Sequence, residues 1–459
     1  MRHFSSALRI LLGAFAFACT RPHAVTTEAP QLQGASLPGP APSAVSAVSA
    51  APEGPPACPA VPQEALTLPD EHAIFEGVSN VLIENDSALQ GFADRALALF
   101  RGKERGHIRI AIYGDSNMTM DFISGGLRRL LQQKYGDAGH GFVALSRPWN
   151  WYRHMDVRHD LWEDKWTPFA TSTHPTRDGH YGLANIAAET VMPGAWASVA
   201  TAGPSAPIGQ KATHVDVFYM ARPNGGGFAL KIDGAEKERF VSAAATAEAR
   251  VASFDLEDAP HKVEVLATHA GIRMFGVAME RNVPGFVVDS LGVGALNYEQ
   301  FLHVSKESRD PMLKARDYDL VVFMLGTNMF AYDHHEAWVK EVLASYKAVL
   351  PRASFLIAGA PDMERERGDN KSDPRISRVN AQFRAAALAS GAAYWDTRAA
   401  MGGNLSIRRF ARAGLAEADM VHFRKDGGIA LGERLGHALL QVAATRLTFD
   451  ASAGCEPVK

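Results

Sequence analysis

Cysteine is scarce in this chain of 459 residues. Cys19, Cys58 and Cys455 are too few for a fold built on disulfides, and they lack the spacing of a zinc site. Acidic and basic side chains nearly balance, 50 against 47, so the chain lacks the positive charge of a protein that grips nucleic acid through phosphate contacts. No apolar run reaches the about 20 residues that cross a bilayer, which excludes a multi-pass membrane protein. The rest of the composition, 47% hydrophobic and 21% charged, is that of a globular protein with two or three structural units.

Residues 1–19 have the pattern of an export signal. Arg2 and Arg9 flank a short positive start, and the apolar stretch 10–18 is too short to span a membrane. Cys19 follows directly, an arrangement that resembles a bacterial lipoprotein signal, in which the cysteine receives lipid after cleavage. Plain secretion, with Cys19 removed or incidental, is the alternative. We therefore expect export to the periplasm or cell envelope, with a membrane tether if Cys19 is lipidated.

Residues 20–66 are expected to form a disordered linker. From Thr20 to Gln63 the chain contains 10 of its 25 prolines and no Phe, Trp or Tyr, so it cannot bury enough apolar surface to offset the entropy of ordering. A spacer rich in Pro and Ala is semi-extended and suits a tether. Cys58 and Cys455, the latter in a C-terminal tail over 450–459, could pair in an oxidising compartment, which the sequence leaves open.

Apolar strands that alternate with amphipathic helices predict an α/β domain with a parallel sheet, formed by 67–140 and 282–449. Residues 107–113 alternate isoleucine with other residues and end at a turn, and 320–325 are a continuous apolar run. This pattern is typical of buried parallel strands that helices cover on both faces. Functional side chains are then expected in loops at the carboxyl ends of the strands.

Residues 141–281, between these two parts, have a different pattern. Short strand-like runs, such as His214–Tyr219 and Gly227–Ile232, alternate with clusters of Gly, Pro and Asn, which predicts an inserted β-sandwich. Aromatic residues concentrate near its start: Trp149, Trp151, Tyr152, Trp162, Trp166 and Tyr181. Most are expected to pack in the core, with one or two at most available to stack on a sugar.

Two short segments contain a nucleophile and a base. Gly114-Asp115-Ser116-Asn117 follows the strand at 107–113 and precedes a helix, so Ser116 can project into a crevice at the strand's end. Asp419-Met420-Val421-His422 places a carboxylate three residues before an imidazole, and on a helical turn the two would lie side by side. Each segment is a weak signal alone, since Gly-Asp-Ser also forms ordinary turns.

Two further segments offer hydrogen-bond donors. Asn328 follows the strand at 320–325, and its amide can donate to a developing oxyanion, although Asn is also an ordinary turn residue. The small residues Gly292, Gly294 and Ala295 follow a strand-like run and let a backbone N–H approach a substrate closely.

Together and in this order, the four segments resemble those of the GDSL/SGNH hydrolases, over about residues 70–140 and 285–447. The resemblance implies a three-layer α/β/α SGNH (flavodoxin-like) fold and a serine esterase that needs no metal or organic cofactor. It makes Ser116 the nucleophile, His422 the general base and then acid, and Asp419 the residue that orients His422.

The same resemblance implies an oxyanion hole. It would combine the N–H of Ser116, the side chain of Asn328 and one backbone N–H from the loop that contains Gly294 and Ala295. The family usually has glycine at the loop donor, and which of the two residues donates here stays open.

A narrower resemblance is to the bacterial peptidoglycan O-acetylesterases, which carry a carbohydrate-binding-like β domain after the nucleophile. It depends on Asn117 in the nucleophile motif, the runs 122–131 and 135–142, Arg109-Ile110, residues 287–292 and the β-rich insert. It implies hydrolysis of O-acetyl or other short acyl esters on a cell-envelope glycan, with peptidoglycan favoured, through an acyl-enzyme on Ser116. A glycan O-acetyltransferase with the same site is one alternative, and a non-catalytic carbohydrate-binding surface protein is another. Sugar binding by the insert and the oligomeric state stay open.

Histidines also cluster in the sequence, at His154, His159, His174 and His180 and again at His334-His335-Glu336. Their spacings fit no tight metal-ligand pattern, so we expect solvated loop histidines and no metal site.

Overall fold

The structure is a computed structural model that describes residues 61, 65, 69, 71–104, 106–329, 334–364 and 370–453, with side chains up to 446. The predicted signal peptide, the three cysteines, nearly all of the predicted linker and most of the tail lie outside the described residues. Within these ranges, no helix combines the length and the apolar character needed to cross a bilayer.

The described part of the chain forms strands and helices with the following bounds. The strands are β1 (His107–Gly114), β2 (Gly141–Ala144), β3 (Val157–Leu161), β4 (Thr167–Ala170), β5 (Ile186–Thr190), β6 (Trp196–Thr201), β7 (Ala212–Ala221), β8 (Gly227–Ile232), β9 (Ala235–Val241), β10 (Glu248–Ala259), β11 (Lys262–His269), β12 (Ile272–Glu280), β13 (Gly285–Gly292), β14 (Leu320–Met324), β15 (Ser354–Ala358) and β16 (Ala393–Trp395). The α-helices are α1 (Gln90–Phe100), α2 (Phe122–Tyr135), α3 (Tyr298–Phe301), α4 (Lys306–Arg316), α5 (His335–Val349), α6 (Pro374–Ala389), α7 (Thr397–Ala400), α8 (Ser406–Arg412) and α9 (Lys425–Ala453).

A parallel sheet forms the centre of the α/β domain, with the strand order β13-β1-β14-β15-β16. Because successive side chains of a strand point to opposite faces, β1 buries Ile108, Ile110 and Ile112 on one face and Ala111 and Tyr113 on the other. The first face packs against α1, α2 and α9, and the second against α5 and α6. The predicted three-layer α/β/α domain is confirmed.

Two antiparallel sheets lie in the chain between β1 and β13. One has the order β10-β7-β12-β5-β4, with β2 also paired to β12, and the other has the order β3-β6-β11-β8-β9. Their side chains share one apolar core, in which the rings of Tyr219 and Phe228 from opposite sheets are 5.1 Å apart. The predicted inserted β-sandwich is confirmed. Of the aromatic residues near its start, Tyr152, Trp166 and Tyr181 are buried, Trp149 is partly buried, and Trp151 and Trp162 are exposed.

A buried ion network joins the insert to the parallel sheet. Asp289 of β13 accepts hydrogen bonds from Arg316 at 2.9 and 3.0 Å, from the Tyr318 hydroxyl at 2.5 Å and from the N–H of Phe142 in β2 at 2.8 Å. Arg316 also donates to Glu280, at the end of β12, at 2.7 Å. Burial alone would raise the pKa of Glu280, but the charge of Arg316 and the hydrogen bonds from Arg109 and His107 together outweigh it and hold this pKa well below its usual range. The network fixes β13, whose carboxyl end leads to the candidate site.

Candidate active site

Ser116 begins a short 3-10 turn, Ser116–Met118, almost directly after β1. The turn approaches the strand closely because residue 114 is glycine, where a Cβ would lie 2.6 Å from the Cβ of Met118. Asp115 caps the turn by accepting a hydrogen bond from the N–H of Asn117 at 3.2 Å. Ser116, which is half-buried, therefore lies at the carboxyl end of a central strand, as the sequence predicts.

Ser116, His422 and Asp419 form one chain of hydrogen bonds. The Oγ of Ser116 lies 2.8 Å from Nε2 of His422, although the two residues are 306 positions apart in the chain. Nδ1 of His422 lies 2.6 Å from Oδ2 of Asp419. Because a carboxylate only accepts hydrogen bonds, Nδ1 of the neutral imidazole carries the proton, and Nε2 accepts from the Ser116 hydroxyl. The structure thus brings the three predicted catalytic side chains together.

Asp419 is held by the backbone that follows it. Its Oδ1 accepts hydrogen bonds from the N–H groups of Val421 at 2.9 Å and His422 at 3.0 Å. Partial burial raises the pKa of Asp419, but the hydrogen bonds from His422 and Val421 outweigh this effect, so the pKa lies below its ordinary value. The predicted helical turn is wrong: Met420 has a left-handed φ of 60°, and α9 begins only at Lys425. An irregular turn brings Asp419 and His422 together instead.

Asn117 ties the His422 loop to the nucleophile turn. Its Nδ2 donates to the carbonyl of Val421 at 3.3 Å, and its Oδ1 accepts from the N–H of Phe423 at 3.1 Å. These two bonds bracket His422. The sequence places Asn117 in the nucleophile motif without assigning it a role, and its position directly after Ser116 is the one local signal that marks it.

Asp115 and Thr327 connect the nucleophile turn to the Asn328 segment. Oδ2 of the buried Asp115 accepts hydrogen bonds from the hydroxyl of Thr327 at 2.7 Å and from its N–H at 3.2 Å. Burial raises the pKa of Asp115, and these hydrogen bonds offset only part of the increase. Nδ2 of the half-buried Asn328 lies 3.5 Å from the carbonyl of Leu296. Asn328 therefore lies beside the loop that follows β13.

That loop contains a tight turn over 293–296. The N–H of Leu296 donates to the carbonyl of Val293 at 3.2 Å, and the N–H of Val293 donates to the carbonyl of Gly114 at 3.0 Å, so the turn lies against the end of β1. Around this turn and the nucleophile, the N–H groups of Ser116, Gly294 and Ala295 have no hydrogen-bond partner among the described residues. They are free to donate to a ligand, as the predicted oxyanion hole requires.

A second polar cluster lies at the start of α2. Side-chain atoms of Asp121, His140 and His154 lie within 4.8 Å of one another. Nε2 of His140 is 3.1 Å from Nδ1 of His154, while the two carboxylate oxygens of Asp121 accept from Arg128 at 2.8 and 2.9 Å. A guanidinium charge in this position opposes a metal cation. We therefore interpret the cluster as a buried hydrogen-bond network.

The expectation of solvated histidines is wrong at several positions. His154 is half-buried, and burial lowers its pKa to about 4. His159 is half-buried and lies 2.7 Å, through Nε2, from the carbonyl of Leu145. His335 is buried in the first turn of α5, and His180 is half-buried, whereas His174 is exposed as expected. Tertiary packing, which the local sequence does not reveal, accounts for these differences.

Comparison with solved structures finds a shared fold. The structure described as "Peptidoglycan O-acetylesterase in action, 5 min" aligns with 79% of this chain and 96% of its own, with a TM-score of 0.64 and 22% sequence identity. A GDSL-like lipase from Parabacteroides merdae aligns with 35% of this chain and 73% of its own, with a TM-score of 0.28 and 13% identity. A carbohydrate esterase family 2 enzyme from Corynascus thermopiles aligns with 61% of this chain and 99% of its own, with a TM-score of 0.27 and 13% identity. Both TM-scores are too low to support a shared fold. No family model and no curated protein matches the chain. The chain therefore has the fold of a solved peptidoglycan O-acetylesterase.

Proposed function

We propose that this protein is a GDSL/SGNH-type serine esterase that hydrolyses O-acetyl, or other short acyl, esters on a cell-envelope glycan. The observation that carries the proposal is the hydrogen-bond chain from Ser116 through His422 to Asp419 at the carboxyl end of the parallel sheet. This combination of nucleophile, base and orienting carboxylate is the one that serine esterases use for acyl transfer. The free N–H of Ser116 and the nearby Asn328 supply donors for an oxyanion.

The reaction follows from these positions. Nε2 of His422 accepts the Ser116 proton while Oγ attacks the acetyl carbonyl carbon, and the oxyanion accepts hydrogen bonds from the donors around it. His422 then gives the proton to the departing sugar oxygen, the ester C–O bond breaks, and the acetyl group stays on Ser116. Water gives a proton to the same Nε2 and attacks the acyl-enzyme, which releases acetate and returns the proton to Ser116. Asp419 keeps the imidazole in the required tautomer throughout.

The exposure of the site supports a polymeric substrate. The side chains of His422 and Asp419 are 41% and 49% exposed, so the catalytic pair lies at the surface. An ester fixed to a long glycan can reach such a site. The fold shared with a peptidoglycan O-acetylesterase favours peptidoglycan as that glycan, and the predicted export signal would place the protein in the periplasm or cell envelope.

The test is acetate release from O-acetylated peptidoglycan, with acetylated xylan as the competing substrate and de-O-acetylated peptidoglycan as the blank. We expect wild type to release acetate from peptidoglycan and a folded Ser116→Ala variant to release none above the blank. Activity on xylan alone would overturn peptidoglycan as the substrate, and equal activity in Ser116→Ala would overturn the mechanism. Transfer of acetyl to a glycan acceptor, without acetate release, would identify an acetyltransferase instead.

A further inference from the structure

The turn beside Ser116 contains a residue in an unfavourable conformation. Ala295 has a φ of 56°, in the left-handed region that glycine adopts freely and that a residue with a Cβ disfavours. Ala295 is also exposed, so burial of its methyl group does not hold it there. Such a conformation persists only where surrounding contacts impose it.

The inserted β-sandwich supplies one such contact. The hydroxyl of Ser172 donates a hydrogen bond to the carbonyl of Gly294 at 2.5 Å. Ser172 is half-buried in a turn after β4, and this turn is closed by two backbone hydrogen bonds between Ala170 and His174, both 3.1 Å. Because these bonds fix the backbone of the turn, the insert sets the direction of the Ser172 hydroxyl.

The Ser172 hydrogen bond also sets the direction of an N–H group. The carbonyl of Gly294 and the N–H of Ala295 belong to one planar peptide unit, in which they point in opposite directions when the peptide is trans. Since the carbonyl faces Ser172 in the insert, the Ala295 N–H points away from the insert.

The other contacts of the turn tie it to the α/β domain beside the nucleophile. The N–H of Val293 reaches the carbonyl of Gly114 at 3.0 Å, and the carbonyl of Leu296 lies 3.5 Å from Nδ2 of Asn328. Both partners follow or end strands of the parallel sheet next to the nucleophile turn. The turn therefore lies between the insert and the residues around the nucleophile, and the N–H of Ala295 has no partner among the described residues.

We propose that Ser172 is a positioning residue for ester hydrolysis, which holds the Gly294–Ala295 peptide so that the N–H of Ala295 is the second oxyanion donor. The proposal rests on the proposed function of Ser116. It gives the inserted domain a part in the chemistry of the site, and it accounts for an alanine at a position with positive φ.

Kinetics of three variants test this role. Ser172→Ala removes the hydroxyl, Ser172→Thr keeps one, and Thr173→Ala is the matched control, because the exposed Thr173 contacts His174 rather than the catalytic loop. Deleting an oxyanion donor lowers kcat by about a hundredfold or more, so a misdirected donor should lower it by about tenfold. On a chromogenic acetate ester we expect this loss in Ser172→Ala with KM nearly unchanged, recovery of most of it in Ser172→Thr, and wild-type kinetics in Thr173→Ala.

A second readout separates this proposal from the proposed substrate. A fluorophosphonate phosphonylates an activated serine: an O–P bond forms, the P–F bond breaks, and fluoride and the serine proton leave. The reaction needs no glycan, yet its phosphoryl oxygen uses the oxyanion donors. We expect Ser172→Ala to slow labelling of Ser116 by a factor similar to its loss in kcat, even if wild type releases acetate from no glycan. Wild-type rates for Ser172→Ala in both assays, or an equal loss in Thr173→Ala, would overturn the role of Ser172, and a wild type inert in both would overturn both proposals.

Discussion

Replacement of Asn117 by alanine should slow hydrolysis by loosening His422 while leaving the nucleophile intact. The substitution removes hydrogen bonds of 3.3 and 3.1 Å to the residues on either side of His422. One hydrogen bond contributes about 0.5–1.5 kcal/mol net, so the pair contributes about 2 kcal/mol to holding the loop. This free energy holds His422 in the geometry in which its Nε2 accepts the Ser116 proton. Losing all of it from the transition state lowers kcat by about thirtyfold.

The measurement is kcat and KM on a chromogenic acetate ester, with two companion variants. In Asn117→Asp the carboxylate still accepts from the N–H of Phe423 but cannot donate to the carbonyl of Val421, so we expect an intermediate loss. Gln210→Ala is the matched control, since it also removes side-chain hydrogen bonds to backbone, at 3.3 and 2.6 Å, within the insert. Wild-type kcat in Asn117→Ala would refute the reasoning, and so would an equal loss in Gln210→Ala.

Two further predictions concern stability. Arg316→Met leaves the buried carboxylate of Asp289 without its guanidinium partner and removes one of the cations beside Glu280. The free energy of unfolding should therefore fall by about 3–5 kcal/mol in denaturant titrations, and a change below about 1 kcal/mol would contradict this role. Burial lowers the pKa of His154 from 6.5 to about 4 in the folded protein. As the pH falls, the unfolded chain therefore binds a proton at His154 before the folded protein does. The free energy of unfolding should fall by about 3 kcal/mol as the pH drops from about 6.5 to about 4. Unfolding measured across this range should show a flatter pH dependence in His154→Gln, and an unchanged slope would contradict the assignment.

The position of Ser116 could be predicted because its signals are local. The isoleucine alternation over 107–113 and the glycine that follows specify a buried strand and its end, and the structure has β1 there. The order and spacing of Asp419 and His422 indicated a base and its partner. Their geometry was predicted wrongly, because the left-handed Met420 replaces the helical turn with an irregular one.

The supporting residues could not be predicted because their partners lie far along the chain. Asn117 contacts residues more than 300 positions away, and Ser172 contacts Gly294 across 122 positions. No local pattern distinguishes these side chains from ordinary turn residues. His154 reads as a solvated loop residue for the same reason, since its burial depends on packing against Asp121 and Tyr152.

The most direct test of the catalytic role of Ser116 is the acyl-enzyme itself. Acid quenching during turnover of an acetate ester, followed by peptide mass spectrometry, shows which side chain carries the acetyl group. We expect one acetyl group, located on Ser116, and none on the corresponding peptide of Ser116→Ala. Acetate release with the acetyl group on another residue, or sustained turnover by Ser116→Ala, would contradict the mechanism.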